Sequence, residues 1–362
     1  MILLLLDLLA AFNMVDHQTL LHRLSHRFGV NCAFKWFRSH LSDRYQTGKV
    51  NGGVSSSREL HHGVPQSSVI GPILFLLYTW PLGDVMRHHK SNFHLYADDT
   101  QLYLTFISST SDLAKLAIED CVRDIDAWMI VNMRKMNRDN TEPVVLNASH
   151  RPPPPSTARN ISVLYDTVMS MEHHVTAVCK AGFFYLQNIS RIRKYISRHT
   201  AEILLHAFIT SRLDFCNSLL YGLPKKTIKR LQHVQNAAAR MVALTPKHEH
   251  ISPVLQELHW LPVEQRIIFK ILLMTFKCLN GIAPSYLSDL VTRHIPRRNL
   301  RSANGHRLFD VEYNLGKYGF RSFSVATLQL WNDMPLGIRS CDSLNDFKKR
   351  LKTYLFRKAF LN

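Results

Sequence analysis

The stretch 93–106 constrains this chain more than any other. It reads Phe93-His94-Leu95-Tyr96, then Ala97-Asp98-Asp99-Thr100, then Gln101-Leu102-Tyr103-Leu104-Thr105-Phe106. Two short apolar strands joined by a four-residue polar connection predict a hairpin. Adjacent carboxylates between apolar strands are costly unless a cation neutralises them. Hard carboxylate oxygens suit Mg²⁺. A third acid, Asp7, closes an apolar strand predicted over residues 1–9. Three such carboxylates can hold a pair of divalent ions roughly 3.5–4 Å apart, the arrangement that activates a hydroxyl and stabilises a leaving phosphate oxygen. Asp is also a favoured turn residue, so the pair alone does not separate a metal site from a plain turn. The acid-tipped strand upstream tilts the reading toward the metal.

Charge divides the chain in two. Of 362 residues, 45 are Lys or Arg and 27 are Asp or Glu, a formal net charge of +18. Residues 1–175 hold 16 basic and 16 acidic side chains, whereas residues 176–362 hold 29 and 11. A neutral half followed by a basic half predicts two domains. A sequence pI near 9.8 favours a polyanionic partner, nucleic acid before an acidic membrane, with a merely soluble basic surface as the plain alternative. An apolar content of 46% excludes intrinsic disorder. The six cysteines stand far apart, with no CxxC or Cys/His ligand spacing, which excludes a zinc module and fits free thiols in a reducing compartment. The twenty histidines likewise show no ligand spacing. The opening run Met1 to Leu6 lacks a basic lead and is interrupted by Asp7, so it predicts a buried strand rather than a signal peptide or a spanning helix. The expectation is an intracellular protein of the nucleus or cytoplasm, not secreted and without a membrane partner. The abrupt start inside a core element reads as the beginning of a fragment.

Along the chain, a helical pattern covers 17–44 with a break at Gly29. Strands are expected over 45–62 around a Gly52-Gly53 turn, and a single helix over 69–86. An amphipathic helix is expected over 112–134, with Leu113, Leu116, Cys121, Ile125, Trp128 and Met129 on its apolar stripe. Arg151 followed by Pro152 to Pro155 lacks donors for a ladder or a helix and is the clearest boundary. Beyond residue 172 the pattern is mostly helical: 173–197, 200–221, 225–243, 250–258, 263–280, 284–293 and 343–359. The stretch 305–331 is looser and suggests short strands. Trp260 and Trp331 are expected as core anchors, and Phe184 and Tyr185 as core more than surface. The domains expected are 1–148, a linker over 149–172 and a basic helical region over 173–362.

Three blocks carry a resemblance to the reverse transcriptases of non-LTR (LINE-type) retrotransposons. LDLLAAFNMVDH (Leu6 to His17) resembles palm motif A, GVPQSSVIGPILFLLY (Gly63 to Tyr78) resembles motif B, and HLYADDTQLYL (His94 to Leu104) resembles motif C, in the family's order and spacing. Cys121 to Glu142 resembles the motif D region, and Arg159 to Asp166 the primer-grip segment. Segments around Leu213, Leu231 and Trp260 resemble the same family's thumb and C-terminal region, so the resemblance covers nearly the whole chain. It implies an α+β fold: a right-hand polymerase palm, an antiparallel sheet with helices, followed by a mostly α-helical thumb. It implies RNA-directed DNA synthesis by two-metal nucleotidyl transfer, with Mg²⁺ as cofactor (two ions, Mn²⁺ a possible substitute), RNA template and DNA primer as partners, dNTPs as substrates, and no small-molecule cofactor. Asp7 and Asp98 match the metal-binding palm aspartates and Asp99 the third acidic position. Phe12, five residues after Asp7, matches the steric gate that opposes a sugar 2′-hydroxyl. Gly63, Pro65 and Gln66 match the motif B loop under the incoming nucleotide.

The departures are specific. Ser67 stands where the family has glycine. Asn140 replaces the lysine that would protonate the pyrophosphate leaving group, which asparagine cannot do. Ser162 replaces the primer-grip glycine. The family's fingers and endonuclease are not found before motif A. Together these imply a truncated copy with weak or absent polymerase activity. The alternative is a non-catalytic nucleic-acid-binding remnant, supported by the basic half. There Arg191, Arg193 and Lys194, and Lys225, Lys226, Lys229 and Arg230, form the clusters suited to phosphate, although a charge run is also an ordinary solvated face. Tyr195, Phe184 and Tyr185 lie beside the first cluster and could stack on bases.

Overall fold

The computed structural model describes residues 1–362 except 7, 10–11, 66–67, 107–109, 134, 138–140, 146–156, 294–305, 310–318 and 362. The chain separates into two compact units, Met1–Met169 and Ser170–Asn362.

In the first unit, β1 (Ile2–Leu6) is a short apolar run of the kind that must be buried, and it sits inside a sheet. The other strands are β2 (Leu8–Leu9), β3 (Tyr45–Gln46), β4 (Lys49–Val50), β5 (Gly53–Val54), β6 (Arg58–Glu59), β7 (Asn92–Tyr96), β8 (Asp99–Leu104), β9 (Lys135–Met136), β10 (Glu142–Val145), β11 (Thr157–Asn160) and β12 (Val163–Asp166). The main sheet has the order β10-β1-β8-β7, with every neighbour antiparallel. Period-2 alternation explains its two faces. Ile2, Leu4, Leu6, Leu102 and Leu104 point to one side and join the core. Leu3 and Leu5 point to the other and meet Ala158 of the β11–β12 hairpin. Gln101, opposite Leu5 in register, donates to Asn160 Oδ1 at 3.0 Å.

Helices α1 (His17–His22), α2 (Phe34–Leu41), α3 (Gly71–Thr79), α4 (Leu82–His88) and α5 (Ser111–Val131) supply the rest of that core through Leu20, Leu41, Leu74, Phe75, Tyr78, Leu82, Met86, Ile118 and Ile125. Asp16 caps α1 by accepting from the Thr19 amide at 2.7 Å. Two expectations are corrected here. The single helix over 69–86 is two, because Pro81 has no N–H for a continuing ladder and caps α4 instead. The apolar stripe of α5 is Ala114, Ile118, Cys121, Ile125 and Met129, whereas Leu113 and Leu116 are exposed. The buried positions follow a strict i, i+4, i+7 spacing, which leaves 113 and 116 on the other face. No described helix is long and apolar enough to cross a membrane.

The second unit is helical among its described residues: α6 (Glu172–Ile192), α7 (Arg198–Leu205), α8 (Ser211–Asp214), α9 (Lys225–Ala243), α10 (Ile251–Glu257), α11 (Val263–Leu279), α12 (Ser285–Ser288), α13 (Phe323–Asn332), α14 (Leu336–Arg339) and α15 (Leu344–Phe360). Of the stretch 305–331 expected to hold short strands, residues 305 and 310–318 lie outside the described residues, Leu308 forms an isolated antiparallel bridge with Arg293, and the end carries α13, whose Val325, Leu328 and Trp331 face the core. Trp331 stacks with Phe347, centroids 5.9 Å apart, and Phe276 lies on Phe347 at 4.3 Å. Trp260 is buried, as expected of an anchor, but Phe184 is 57% exposed rather than core. Gly182 lets α6 approach α9: a Cβ there would meet Val234 Cγ1 at 2.6 Å.

Candidate active site

The two carboxylates are placed by the tightest connection a hairpin allows. Tyr96 pairs with Asp99, so Ala97 and Asp98 alone form the turn. Ala97 takes a positive φ of 52°, the left-handed conformation that two-residue hairpin turns require. Asp98 and Asp99 are both partly exposed. Alternation puts Asp99 on the face shared by Gln101 and Tyr103, away from the helices. Thr100, the next residue, pairs with Leu6 at the end of β1. Asp7 follows Leu6 in sequence but lies outside the described residues. Among the described residues no group of three or more His, Cys, Asp and Glu side chains stands ready for a metal; the hairpin itself offers two carboxylates.

The loop after β2 and the loop before α3 are laced together. Val64 donates to the Phe12 carbonyl at 3.0 Å, Gly63 to that of Val15 at 2.8 Å, and His17 to that of His61 at 3.2 Å. The His17 ring donates through Nε2 to the Gly63 carbonyl at 2.7 Å. Burial lowers the His17 pKa from its ordinary value, against the smaller opposing effect of that hydrogen bond. Gly63 has φ of 90°, and a Cβ there would come within 3.2 Å of the Asn13 carbonyl oxygen. Phe12 is half-buried and stacks on Phe75, centroids 4.8 Å apart. Pro65 accepts from the Ser68 hydroxyl at 2.8 Å, which in turn accepts from the Gly71 amide at 2.9 Å. Gln66, Ser67 and Asn140 lie outside the described residues.

One element escaped sequence reasoning. Arg23 donates to the Tyr78 carbonyl and to Asn132 Oδ1, and its guanidinium lies 4.6 Å from the Tyr78 ring centre. Tyr78 Oη donates to the Asn132 carbonyl at 2.9 Å. This polar knot ties the end of α1 to α3 and to the end of α5. An arginine in an otherwise apolar helical stripe was the only signal in the sequence.

The basic residues expected to meet phosphate divide by their partners. Arg193 uses all three guanidinium nitrogens on carbonyls: Met241 at 2.9 Å, Ile196 at 3.1 Å and Val242 at 3.0 Å. Arg230 pairs with Glu172 at 2.7 Å and donates to Thr176 at 2.8 Å. Arg191, Lys194, Lys225, Lys226 and Lys229 are exposed.

Residues 1–145 match the family model described as reverse transcriptase (RNA-dependent DNA polymerase). A Drosophila melanogaster protein named as a probable RNA-directed DNA polymerase from transposon X-element is 27% identical over 256 residues, 66% of this chain and 28% of that protein. A second, from transposon BS of the same organism, is 22% identical over 289 residues, 72% of this chain and 31% of its own length. The chain thus spans less than a third of the curated relatives it matches. A Candida albicans telomerase structure aligns at 15% identity and a TM-score of 0.33, covering 74% of this chain and 48% of its own, too low to bear on the fold. Residues 1–145 therefore match the reverse transcriptase family, and the chain around them is similar to RNA-directed DNA polymerases named for transposons.

Proposed function

We propose that this chain carries the palm of an RNA-directed DNA polymerase, which extends a DNA primer on an RNA template by adding dNTPs. The observation that supports it most is the slack-free hairpin holding Asp98 and Asp99 beside the strand that leads into Asp7. Reverse transcriptases generally use divalent metal ions. The donor set fits such ions, because Asp98 and Asp99 offer hard oxygens with no thiolate or imidazole among them. Asp7, Asp98 and Asp99 would hold two Mg²⁺, with Mn²⁺ as substitute. Bound there, the ions would lower the pKa of the primer 3′-hydroxyl and neutralise charge on the departing pyrophosphate.

The chain's own groups do the positioning. Phe12, fixed against Phe75, stands as the bulky ring that opposes a ribose 2′-hydroxyl and so favours dNTPs. The loop of Gly63, Pro65 and Gln66 lets backbone approach the nucleotide, which the positive φ of Gly63 permits without a side chain in the way. With Asn140 in place of lysine, no ammonium stands at that position to give the leaving pyrophosphate a proton, so turnover is proposed to be slow.

Primer extension on an RNA template with Mg²⁺ tests this. Incorporation that Asp98→Ala abolishes supports the polymerase. No incorporation, with binding intact, favours the second reading, a nucleic-acid-binding protein without catalysis. The formal charge of residues 176–362 and the exposed Lys225, Lys226 and Lys229 support that alternative. It requires binding that weakens steeply with salt and that ignores Asp98→Ala.

A further inference from the structure

The second unit contains a groove of about 1130 Å³ between the C-terminal halves of α6 and α9. Its lining has two chemistries. Phe183, Ala237, Met241 and Leu244 provide an apolar floor, and Phe183 and Leu244 are 49% and 68% exposed. Arg191, Arg193, Lys194, Arg240 and Lys247 provide five cationic groups, with His233 beside them. No carboxylate is among the described lining residues.

Two of those cations build the groove. Arg193 clamps the Met241 and Val242 carbonyls, joining the end of α6 to the end of α9. Arg240 holds the following loop, donating to the Pro246 carbonyl at 3.3 Å and the Glu249 carbonyl at 2.8 Å. These bonds go to neutral carbonyls, and neither arginine has a carboxylate partner among the described ion pairs. The other three, Arg191, Lys194 and Lys247, are exposed and have no carboxylate partner among the described ion pairs. A folded domain does not gain by gathering five like charges around exposed apolar surface. An occupant with negative charges along an edge and a flat apolar face removes both costs.

We propose that this groove binds unpaired polynucleotide, with a base against Phe183, Met241 and Leu244 and the flanking phosphates on Arg191, Lys194 and Lys247. The assignment rests on the reading that the second unit binds nucleic acid, and adds to it where and in which strand state. A duplex presents phosphates but keeps its base faces stacked inside, so it satisfies the rim and not the floor. An unpaired strand satisfies both. The groove is also separate from the lysines at the start of α9: Lys225 precedes Met241 by sixteen residues, roughly 24 Å along a helix.

The test is fluorescence anisotropy on the full chain with a labelled single-stranded RNA oligonucleotide, an RNA duplex of the same length and polyglutamate as competitors. Arg191→Glu with Lys194→Glu should weaken single-strand binding at least about tenfold and flatten its salt dependence. Phe183→Ala should weaken it about fivefold or more with the salt dependence unchanged, since it removes a face and no charge. Photo-crosslinking through 4-thiouridine should place adducts in 183–194 or 233–247. Circular dichroism confirms that these exposed substitutions leave the helices intact. If the unaltered chain binds no RNA even at low salt, the nucleic-acid reading of the second unit fails first. If it binds RNA and the groove variants bind equally well, only the groove assignment falls. Displacement by duplex or polyglutamate as effective as by single strand overturns the preference for an unpaired strand.

Discussion

Phe12 and Phe75 lie face to face, with ring planes 29° apart and centroids 4.8 Å apart. Phe75 is fully buried in α3 and belongs to the core, so the ring next to the candidate nucleotide site takes its orientation from the hydrophobic interior. The pair should be measurable as a coupling. In a double-mutant cycle of Phe12→Leu and Phe75→Leu, urea unfolding should return an interaction of about 0.5–1.5 kcal/mol. A coupling near zero would mean that the ring orientation is set elsewhere. In primer extension, Phe75→Leu should also erode discrimination against ribonucleotides, less than Phe12→Leu does.

The β11–β12 hairpin turns through Ile161 and Ser162, with φ of 43° and 66°, since Asn160 pairs directly with Val163. Both residues occupy the left-handed region, which is unfavourable for a β-branched side chain, and the turn is of the kind that prefers Asn-Gly. Ser162→Gly should therefore stabilise the first unit by roughly 0.5–1 kcal/mol, and Ile161→Asn by a similar amount. Thermal unfolding of the variants checks this; a lower midpoint for both would contradict the strained turn.

Burial lowers the pKa of His17 in the first unit and of His174 in the second. Each takes up a proton less readily when folded than when unfolded. Between the lowered folded pKa and the ordinary value near 6.5, the unfolded chain binds more protons, so stability rises with pH there. It is fully present above about pH 6.5 and is lost as pH falls through that window toward the folded values. Urea midpoints measured at pH 7.5 and pH 5.5 should drop, and His17→Gln should reduce the drop. Equal midpoints for the unaltered chain would show that neither ring is effectively desolvated.

Gly182 is a helix-interior glycine, and Gly→Ala in a helix ordinarily gains up to about 1 kcal/mol. Here the new Cβ would press on Val234 Cγ1 at 2.6 Å. Gly182→Ala should destabilise the second unit by about 1–3 kcal/mol. The paired change Gly182→Ala with Val234→Ala should recover part of that loss, because it removes the methyl in the way. Guanidinium unfolding of the single and double variants decides between contact and propensity.

Much of this architecture was legible because it rests on local signals. The apolar run before Asp7 and the two apolar runs around Ala97-Asp98 made β1 and the β7–β8 hairpin legible through period-2 alternation, but the connection expected over four residues is a turn of two, because Asp99 and Thr100 pair in the ladder. The helical stretches 225–243 and 263–280 were equally clear from their 3.6-residue periodicity. The misses depended on tertiary partners. Phe184 looks like core by composition, yet its exposure follows from which face of α6 meets α9. Leu113 and Leu116 are as apolar as their neighbours, and only the position of the core decides that Ala114 and Ile118 face it. In the candidate site, the contact of Phe12 with Phe75 and the knot of Arg23, Tyr78 and Asn132 join residues far apart in sequence, and no spacing rule connects them.

The Ala97–Asp98 turn has no spare residue, which couples chemistry to folding in a particular way. Leu102, three positions beyond Asp99, is buried in the core, and its register with Leu4 follows from the same turn that presents the carboxylates. Selection on the fold alone therefore leaves the partly exposed Asp98 side chain open to exchange, whereas a polar residue at Leu102 or an inserted residue in the turn still damages the core. Among homologous sequences, the ratio of substitutions at Asp98 to those at Leu102 separates constraint by shape from constraint by chemistry.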